Sequence, residues 1–149
     1  MISLKRCESH HPDYSDLIKL LDQELENRYD DFQEQYNTLN NIGFIETVVV
    51  AYNDDNPVGC GCFSAYDDGI VEMKQMFVKK EERGKRIATL ILLMLELWAA
   101  DMGYKIAILE TGIAQAEAIG FYVKSGYELI PNFGQYIGKV NSFCFHKVF

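Results

Sequence analysis

The spacing of apolar residues changes once along the chain, from a period of two to a period near 3.6. Between Ile45 and Lys79, three runs typical of strands are separated by turn signals at 53–57 and 67–69, which predicts an antiparallel meander. From Ile87 to Trp98 the apolar residues recur at helical spacing, which predicts a long amphipathic helix. Hairpin-linked strands followed by helix-linked strands indicate a mixed sheet in one α+β domain.

The remaining patterns complete the predicted order of elements. We predict strands at 2–7, 45–52, 58–66, 70–79, 106–109, 127–130 and 142–148, and helices at 12–25, 32–39, 87–103 and 115–124. A length of 149 residues suits a single domain, and the sequence contains no repeat or linker. We therefore expect one domain over residues 1–149, with a mixed, mostly antiparallel sheet of six to seven strands flanked by about four helices.

The charge balance restricts the partners of this chain. It has 14 Lys and Arg against 22 Asp and Glu, a net charge of −8, which argues against non-specific binding to nucleic acid or to an anionic membrane. The longest apolar stretch, 87–100, is short for a membrane span and contains Glu96. The N-terminus lacks the apolar run of a signal peptide. We expect a cytoplasmic protein.

Metal binding is not expected from the cysteines and histidines. Cys60 and Cys62 are two residues apart, without the Cys-x-x-Cys spacing and without a matching Cys or His pair further along. His10 and His11 fall in a polar turn before a helix. We interpret the cysteines as small buried apolar residues.

A basic segment lies directly before the predicted helix at Ile87. Five of the 14 basic residues fall between Lys79 and Arg86, and the start of a helix presents unpaired N–H groups and a positive dipole end. Gly84 and Ala88 are small enough for close approach of a ligand to the backbone. The segment therefore suggests a polyphosphate site. The alternative is a solvated charged loop paired with its own Glu81 and Glu82.

Two motifs in this part of the chain resemble those of a known family. Arg83-x-x-Arg86-x-Ala88, preceded by Met76-Phe77-Val78, resembles the R/Q-x-x-G-x-G/A acetyl-CoA signature of the GNAT N-acetyltransferase superfamily. The segment from Gln115 to Tyr127 resembles the family's N-x-x-A-x-x-x-Y-x-x-x-G-F helix and turn. Segments 109–112 and 130–136 further resemble small bacterial members. Two positions depart from the pattern: Arg86 replaces the second glycine, and Gln115 replaces asparagine.

This resemblance implies a three-layer α/β GNAT fold and acetyl-CoA as co-substrate. It implies transfer of the acetyl group to a primary amine by direct attack in a ternary complex. Backbone N–H groups of the loop would hold the pyrophosphate, and Met76 and Val78 would pair their backbone with the pantetheine arm. A homodimer through the C-terminal strands is a further family-level expectation. The residues that the resemblance assigns to acetyl-CoA are Met76, Phe77, Val78, Arg83, Gly84, Lys85, Arg86, Ile87, Ala88, Thr89, Gln115, Ala118, Tyr122 and Lys124.

Acyl transfer to an amine requires a proton acceptor for the amine and benefits from a proton donor for the thiolate. Glu72 is the first candidate for the base, because a period of two places Glu72, Lys74, Met76 and Val78 on one face of a strand, and the family often has a glutamate base at the matching place. Glu110, at the end of the next strand, is the second. An ion pair with a lysine is the alternative interpretation of Glu72.

Tyr122 resembles the tyrosine that protonates the thiolate in this family, and its phenol is a reasonable donor. Its alternative role is that of a core aromatic. A cysteine nucleophile is set aside, because no cysteine has an activating base nearby in sequence. A non-catalytic acetyl-CoA-binding sensor or regulatory module is the competing hypothesis, since Arg86 occupies a glycine position.

The distribution of acidic residues is the one feature of the sequence that suggests the chemical class of the acceptor amine. Fifteen of the 22 acidic residues lie between Glu8 and Glu72, which favours a cationic small-molecule or peptide amine. The alternative is that these charges maintain solubility. Five aromatic residues are candidates either for the acceptor pocket or for the core: Tyr14, Tyr29, Phe32, Tyr36 and Tyr136.

Overall fold

The computed structural model describes residues 1–28, 43–113 and 115–149, which form one sheet with helices on both faces. The strands are β1 (Ile2–Cys7), β2 (Val48–Asn53), β3 (Asn56–Asp67), β4 (Ile70–Val78), β5 (Ile106–Gly112), β6 (Glu128–Ile130) and β7 (Ser142–Val148). The helices are α1 (Pro12–Arg28), α2 (Ile87–Asp101) and α3 (Ala116–Lys124). Short 3-10 turns lie at Lys80–Glu82 and Gly134–Tyr136.

The seven strands are arranged in the order β1-β2-β3-β4-β5-β7-β6. Only β4 and β5 pair in parallel, and the other neighbours are antiparallel. The expectation of a mixed, mostly antiparallel α+β sheet is confirmed. Three α-helices fall within the described ranges, and the fourth predicted helix, at 32–39, lies outside them. In the described part of the chain, no helix combines the length and apolar character that a membrane crossing requires.

Each face of the sheet has its own core. Helix α1 packs on one face through a cluster that includes Leu17, Cys60 and Cys62, while α2 and α3 pack on the other. Gly61 allows α2 to lie close to β3, because a Cβ atom there would be 3.0 Å from side-chain carbons of both Ile91 and Leu95. The apolar face of α2 thus packs against a position of β3 that has no side chain.

A bulge in β4 changes which of the side chains beyond it face α1 and which face α2. Cys62 pairs with Lys74 and Cys60 pairs with Phe77, so two residues of β4 oppose the single residue Gly61. Gln75, within the bulge, has a φ of 58°. Lys74 therefore shares the α1 side with Cys62, whereas Met76 packs against the core on the α2 side. The prediction of a common face for residues 72, 74, 76 and 78 is wrong, because the extra residue shifts the alternation by one.

The parallel pair β4–β5 is short. Pairing covers only Ile70–Glu72 against residues 106–108, although β4 continues to Val78 and β5 to Gly112. Beyond Glu72 the two strands diverge, and the β5-facing edge of β4 has no strand partner among the described residues. This divergence opens a wedge in the sheet, and the candidate site lies there.

Candidate active site

The outer part of the wedge is a groove with a volume of about 1010 Å³, open solvent included. Its walls are the end of β4 from Met76 to Val78, the loop at 82–86, the first turn of α2, and α3 from Gln115 to Tyr122. We call this space the loop-side groove. One wall is backbone at a strand edge, and another is the N-terminus of a 15-residue helix. The strand edge has no strand partner on this side among the described residues, and the start of a helix has N–H groups without intrahelical partners.

Most of the residues that the motifs assign to acetyl-CoA are brought together here. Lys85 and Lys124 are absent from the walls of the loop-side groove. The amine of Lys85 instead lies 3.0 Å from Oε1 of Glu82, and Lys124 is exposed at the end of α3. Twelve predicted residues line the groove: Met76, Phe77, Val78, Arg83, Gly84, Arg86, Ile87, Ala88, Thr89, Gln115, Ala118 and Tyr122.

Arg83 spans the groove from the loop to helix α1. Its Nε donates a hydrogen bond to the Val78 carbonyl oxygen at 2.9 Å, and its Nη2 donates to Oε1 of Glu24 at 2.6 Å. The guanidinium carbon lies 5.8 Å from the centre of the Phe77 ring. The loop cation that would face a pyrophosphate is therefore paired with a carboxylate on α1, and an anionic ligand would compete with Glu24 for it.

Arg86 directly precedes α2 and has a left-handed conformation, with φ at 65° and ψ at 19°. This region favours glycine, because a Cβ atom there is close to the following carbonyl oxygen. The Arg86 side chain does not cap the first turn of α2, and that turn contains no acidic residue. The backbone at position 86 thus has the form that glycine readily adopts, despite the arginine side chain.

The inner part of the wedge is a second space, which we call the inner pocket. Its volume is about 620 Å³, open solvent included, and its polar walls include Glu72, Lys74, Glu110 and Tyr136. Met76, Gln115, Ala118 and Tyr122 line both spaces, so the inner pocket and the loop-side groove meet at these residues. A ligand in one space would therefore contact a ligand in the other at the level of Tyr122.

Glu72 is buried on β4 and has two polar contacts. The Tyr136 hydroxyl donates to its Oε2 at 3.0 Å, and the Lys74 amine lies 3.8 Å from its Oε1. Burial raises the pKa of Glu72, while Lys74 and the Tyr136 hydrogen bond oppose that increase. Glu72 thus lines the inner pocket and pairs with Lys74, the ion pair that the alternative interpretation predicts.

Glu110 lies on β5 across the wedge from Glu72. Its Oε2 atom is buried and has no hydrogen-bond partner among the described residues. Burial raises the pKa of Glu110 to about 7; a hydrogen bond from Ser142 opposes the increase, and the nearby charge of Glu72 adds to it. A carboxyl group with a pKa near neutrality and an unpartnered oxygen is suited to accept a proton.

Tyr122 is buried on α3, in contact with the rings of Phe121, Tyr127 and Phe145 at centroid distances of 5.1, 5.8 and 6.5 Å. Burial raises its pKa, and the negative charge of Glu110 adds to that increase. The phenol is therefore held in its protonated form. Tyr122 is thus a packed aromatic that also lines both spaces.

Comparison with known proteins identifies the family. The sequence model of the Acetyltransferase (GNAT) family matches residues 9–127, which include both motifs and both candidate carboxylates. The chain belongs to the GNAT family. The chain is also similar to an IAA acetyltransferase of Azospirillum brasilense, with 36% identity over 89 residues, 59% of this chain. That alignment spans 58% of the relative's own length.

Solved structures agree on the fold. A proposed acyl-CoA N-acyltransferase of Klebsiella pneumoniae superposes with a TM-score of 0.83 at 24% identity, covering 99% of this chain and 97% of that one. PaiA N-acetyltransferase of Thermoplasma acidophilum, solved in complex with coenzyme A, superposes with a TM-score of 0.74 at 15% identity, covering 100% and 99%. At these identities the likeness establishes the GNAT fold alone.

Sequence reasoning did not find every residue of this GNAT site. Glu24 has no local signal, because it reaches Arg83 only through the packing of α1 against β4. Tyr136 was one aromatic candidate among five, and the structure places it in the inner pocket. Tyr14 is instead a buried core residue on the sheet-facing side of α1, and positions 29, 32 and 36 lie outside the described residues.

The four cysteines do not line the loop-side groove or the inner pocket. Cys60, Cys62 and Cys144 are buried and Cys7 is partly buried, all as free thiols. Burial raises the pKa of Cys62 to about 12 and that of Cys144 to about 11, which disfavours a thiolate nucleophile. Within residues 1–28, 43–113 and 115–149, no cluster of His, Cys, Asp and Glu has a metal-binding arrangement.

Proposed function

We propose that this GNAT transfers an acetyl group from acetyl-CoA to a primary amine, by direct attack of the amine in a ternary complex. The observation that carries the proposal is the divergence of β4 and β5 beyond Glu72. It joins a groove with unpaired peptide groups to a pocket with two buried carboxylates, and Tyr122 stands at the junction. Acetyl-CoA and the amine must meet at the carbonyl carbon of the thioester, and two joined spaces allow one substrate to bind in each.

The residues of the loop-side groove suit acetyl-CoA. The N–H groups at the start of α2 would hold the pyrophosphate, with Arg83 exchanging Glu24 for phosphate oxygens. The edge of β4 from Met76 to Val78, which has no strand partner on this side among the described residues, would pair with the amide groups of the pantetheine arm. This arrangement directs the thioester toward the inner pocket.

The proton transfers follow from the groups in the inner pocket. The amine gives a proton to Glu110 and attacks the carbonyl carbon of the thioester; the N–C bond forms, and the C–S bond breaks with its electron pair on sulfur. The Tyr122 hydroxyl then gives its proton to that sulfur and regains one from solvent. Glu110 is preferred to Glu72 as the base, because Glu72 already accepts a hydrogen bond from Tyr136.

Tyr122→Phe tests the proposal. We expect the release of free thiol from acetyl-CoA with an amine panel to fall about 10²-fold in kcat, a typical contribution of acid–base catalysis, with little change in affinity for acetyl-CoA. Tyr104→Phe is the matched control, because Tyr104 packs against Phe63 away from both spaces. Tight acetyl-CoA binding without thiol release from any amine would instead favour the sensor hypothesis.

Two wider expectations belong to the same proposal. A cytoplasmic location is supported by the four free thiols, the state that a reducing compartment maintains. A homodimer through the C-terminal strands stays a prediction, which sedimentation of the purified protein would check.

A further inference from the structure

The inner pocket contains a lysine that catalysis by Glu110 and Tyr122 does not require. Lys74 lines the pocket, and its side chain is only 13% exposed. Its Nζ lies 3.8 Å from Oε1 of Glu72, longer than the 2.7–3.2 Å of an N–H···O hydrogen bond. A buried ammonium group has three donors and is stabilised by close anionic partners. Lys74 is therefore placed to bind a further anion in the pocket.

Glu72 does not depend on Lys74 alone. The Tyr136 hydroxyl donates to its other oxygen at 3.0 Å, and Tyr136 is itself 2% exposed. Tyr136 is fixed by its loop, since Asn132 Nδ2 donates to the carbonyl oxygens of residues 136 and 139 at 3.1 and 3.0 Å. When Lys74 binds a second anion, Glu72 therefore retains a fixed hydrogen-bond donor.

The opposite wall of the pocket, on β5, contains a buried hydrogen-bond acceptor that lacks a donor among the described residues. Oε2 of Glu110 is buried without a hydrogen-bond partner among the described residues. An unsatisfied buried carboxylate oxygen costs free energy, and an ammonium or amine group of a ligand would satisfy it. The pocket thus presents an acceptor oxygen on β5 and a donor group on β4.

We infer that the acceptor is an amine that carries its own carboxylate, as an amino acid does, with its nitrogen at Glu110 and its carboxylate at Lys74. The inference rests on the proposed transferase function and narrows the acceptor class. A zwitterion adds no net charge to the pocket, and its two charges match the two sites. A diamine would place its second ammonium near Lys74, where like charges repel.

The carboxylate of the acceptor takes no part in the bond changes. The ammonium nitrogen gives one proton to Glu110 and attacks, the N–C bond forms as the C–S bond breaks, and the nitrogen releases its second proton to solvent. The thiolate takes the Tyr122 proton, which Tyr122 regains from solvent. Lys74 therefore acts on binding: it orients the acceptor so that its nitrogen faces Glu110. Its removal should raise the KM for carboxylate-bearing acceptors more than it lowers kcat.

The test compares matched acceptors in the thiol-release assay with the full-length protein. The acceptors are the common L-amino acids, β-alanine and 4-aminobutanoate, then the amide and the decarboxylated amine of each active compound, and 1,4-diaminobutane. The variants are Lys74→Met and, as a matched control, Lys105→Met, whose lysine is exposed before β5. We expect kcat/KM to be at least about tenfold higher for the acid than for its amide, one factor of ten being about 1.4 kcal/mol.

Lys74→Met should remove this preference by raising the KM of the acids about tenfold, with a smaller change in KM for the amides, and Lys105→Met should behave as wild type. Equal use of acids and amides by the wild type, or an equal loss for all acceptors in Lys74→Met, would overturn the inference while thiol release still supports the transferase. Activity with amides or diamines alone would overturn it too. Absence of thiol release with every acceptor would instead contradict the proposed function.

Discussion

The loop-side groove and the inner pocket are neighbours in one wedge, yet they are built from different parts of the chain. The groove presents mainly backbone, at a strand edge and a helix start, with partly exposed charges such as Arg83 at its rim. The inner pocket presents buried side chains whose charges lie close to one another. Backbone sites tolerate substitution, whereas a change to a buried carboxylate alters every charge around it. We therefore expect small effects in the groove and large ones in the pocket.

The largest effect is expected from Glu110→Gln. As the proposed base, Glu110 must be deprotonated, so the wild-type rate should rise with pH through about 7 and then level. Without a proton acceptor, kcat should fall about 10²- to 10³-fold, and this pH dependence should be lost. Steady-state rates from pH 5.5 to 9 measure both. Glu128→Gln, on exposed β6, is the control. Near wild-type rates for Glu110→Gln would indicate that Glu72 is the base instead.

The same variant should also change stability. The pKa of Glu110 is raised from 4.5 to about 7 in the fold, so the folded state holds a proton that the unfolded state has lost. Stability therefore falls as pH rises from about 4.5 to 7 and is constant above. Glu110→Gln should remove this loss and stabilise the protein at pH 8 by about 3 kcal/mol, from 1.36 kcal/mol for each pKa unit between 4.5 and 7. Denaturant unfolding at pH 5 and pH 8 measures it.

A moderate effect is expected in the loop-side groove from Arg83→Ala. Loss of one phosphate contact should raise the Kd for acetyl-CoA about tenfold, with little change in kcat. Glu24→Gln should have the opposite effect, lowering Kd about twofold, because it frees Arg83 from its 2.6 Å contact. Calorimetry measures both, with Glu26→Gln, exposed on α1, as the control. An unchanged Kd in Arg83→Ala would show that the backbone alone holds the ligand.

The smallest effect is expected at Arg86. Because its φ is 65°, Arg86→Gly should stabilise the free protein by about 1 kcal/mol, whereas Arg86→Ala keeps the Cβ atom and should be close to wild type. Denaturant midpoints of the three proteins measure the difference. Equal midpoints for Gly and Ala would show that the left-handed conformation costs little here.

Much of the fold was predictable from local spacing. The strand predicted at 142–148 and the start of α2 at Ile87 agree with the structure to the residue, because side-chain periodicity is a local property. The loop that borders the groove was also predictable from the sequence, because its motif lies within that loop and the first turn of α2. The face assignment in β4 failed, because the bulge at Gln75 depends on how β4 pairs with β3.

The sequence by itself thus determined the elements, their order and the basic loop that precedes α2. Only the tertiary structure decided which side chains meet in the inner pocket. Tyr136 and Glu72 are 64 positions apart, and Arg83 and Glu24 are 59 apart. Such contacts arise from strand order, register and helix packing acting together, and one bulge is enough to move Met76 and Lys74 to opposite faces. Local periodicity carries no information on those long-range distances, and the chemistry of the pocket depends on them.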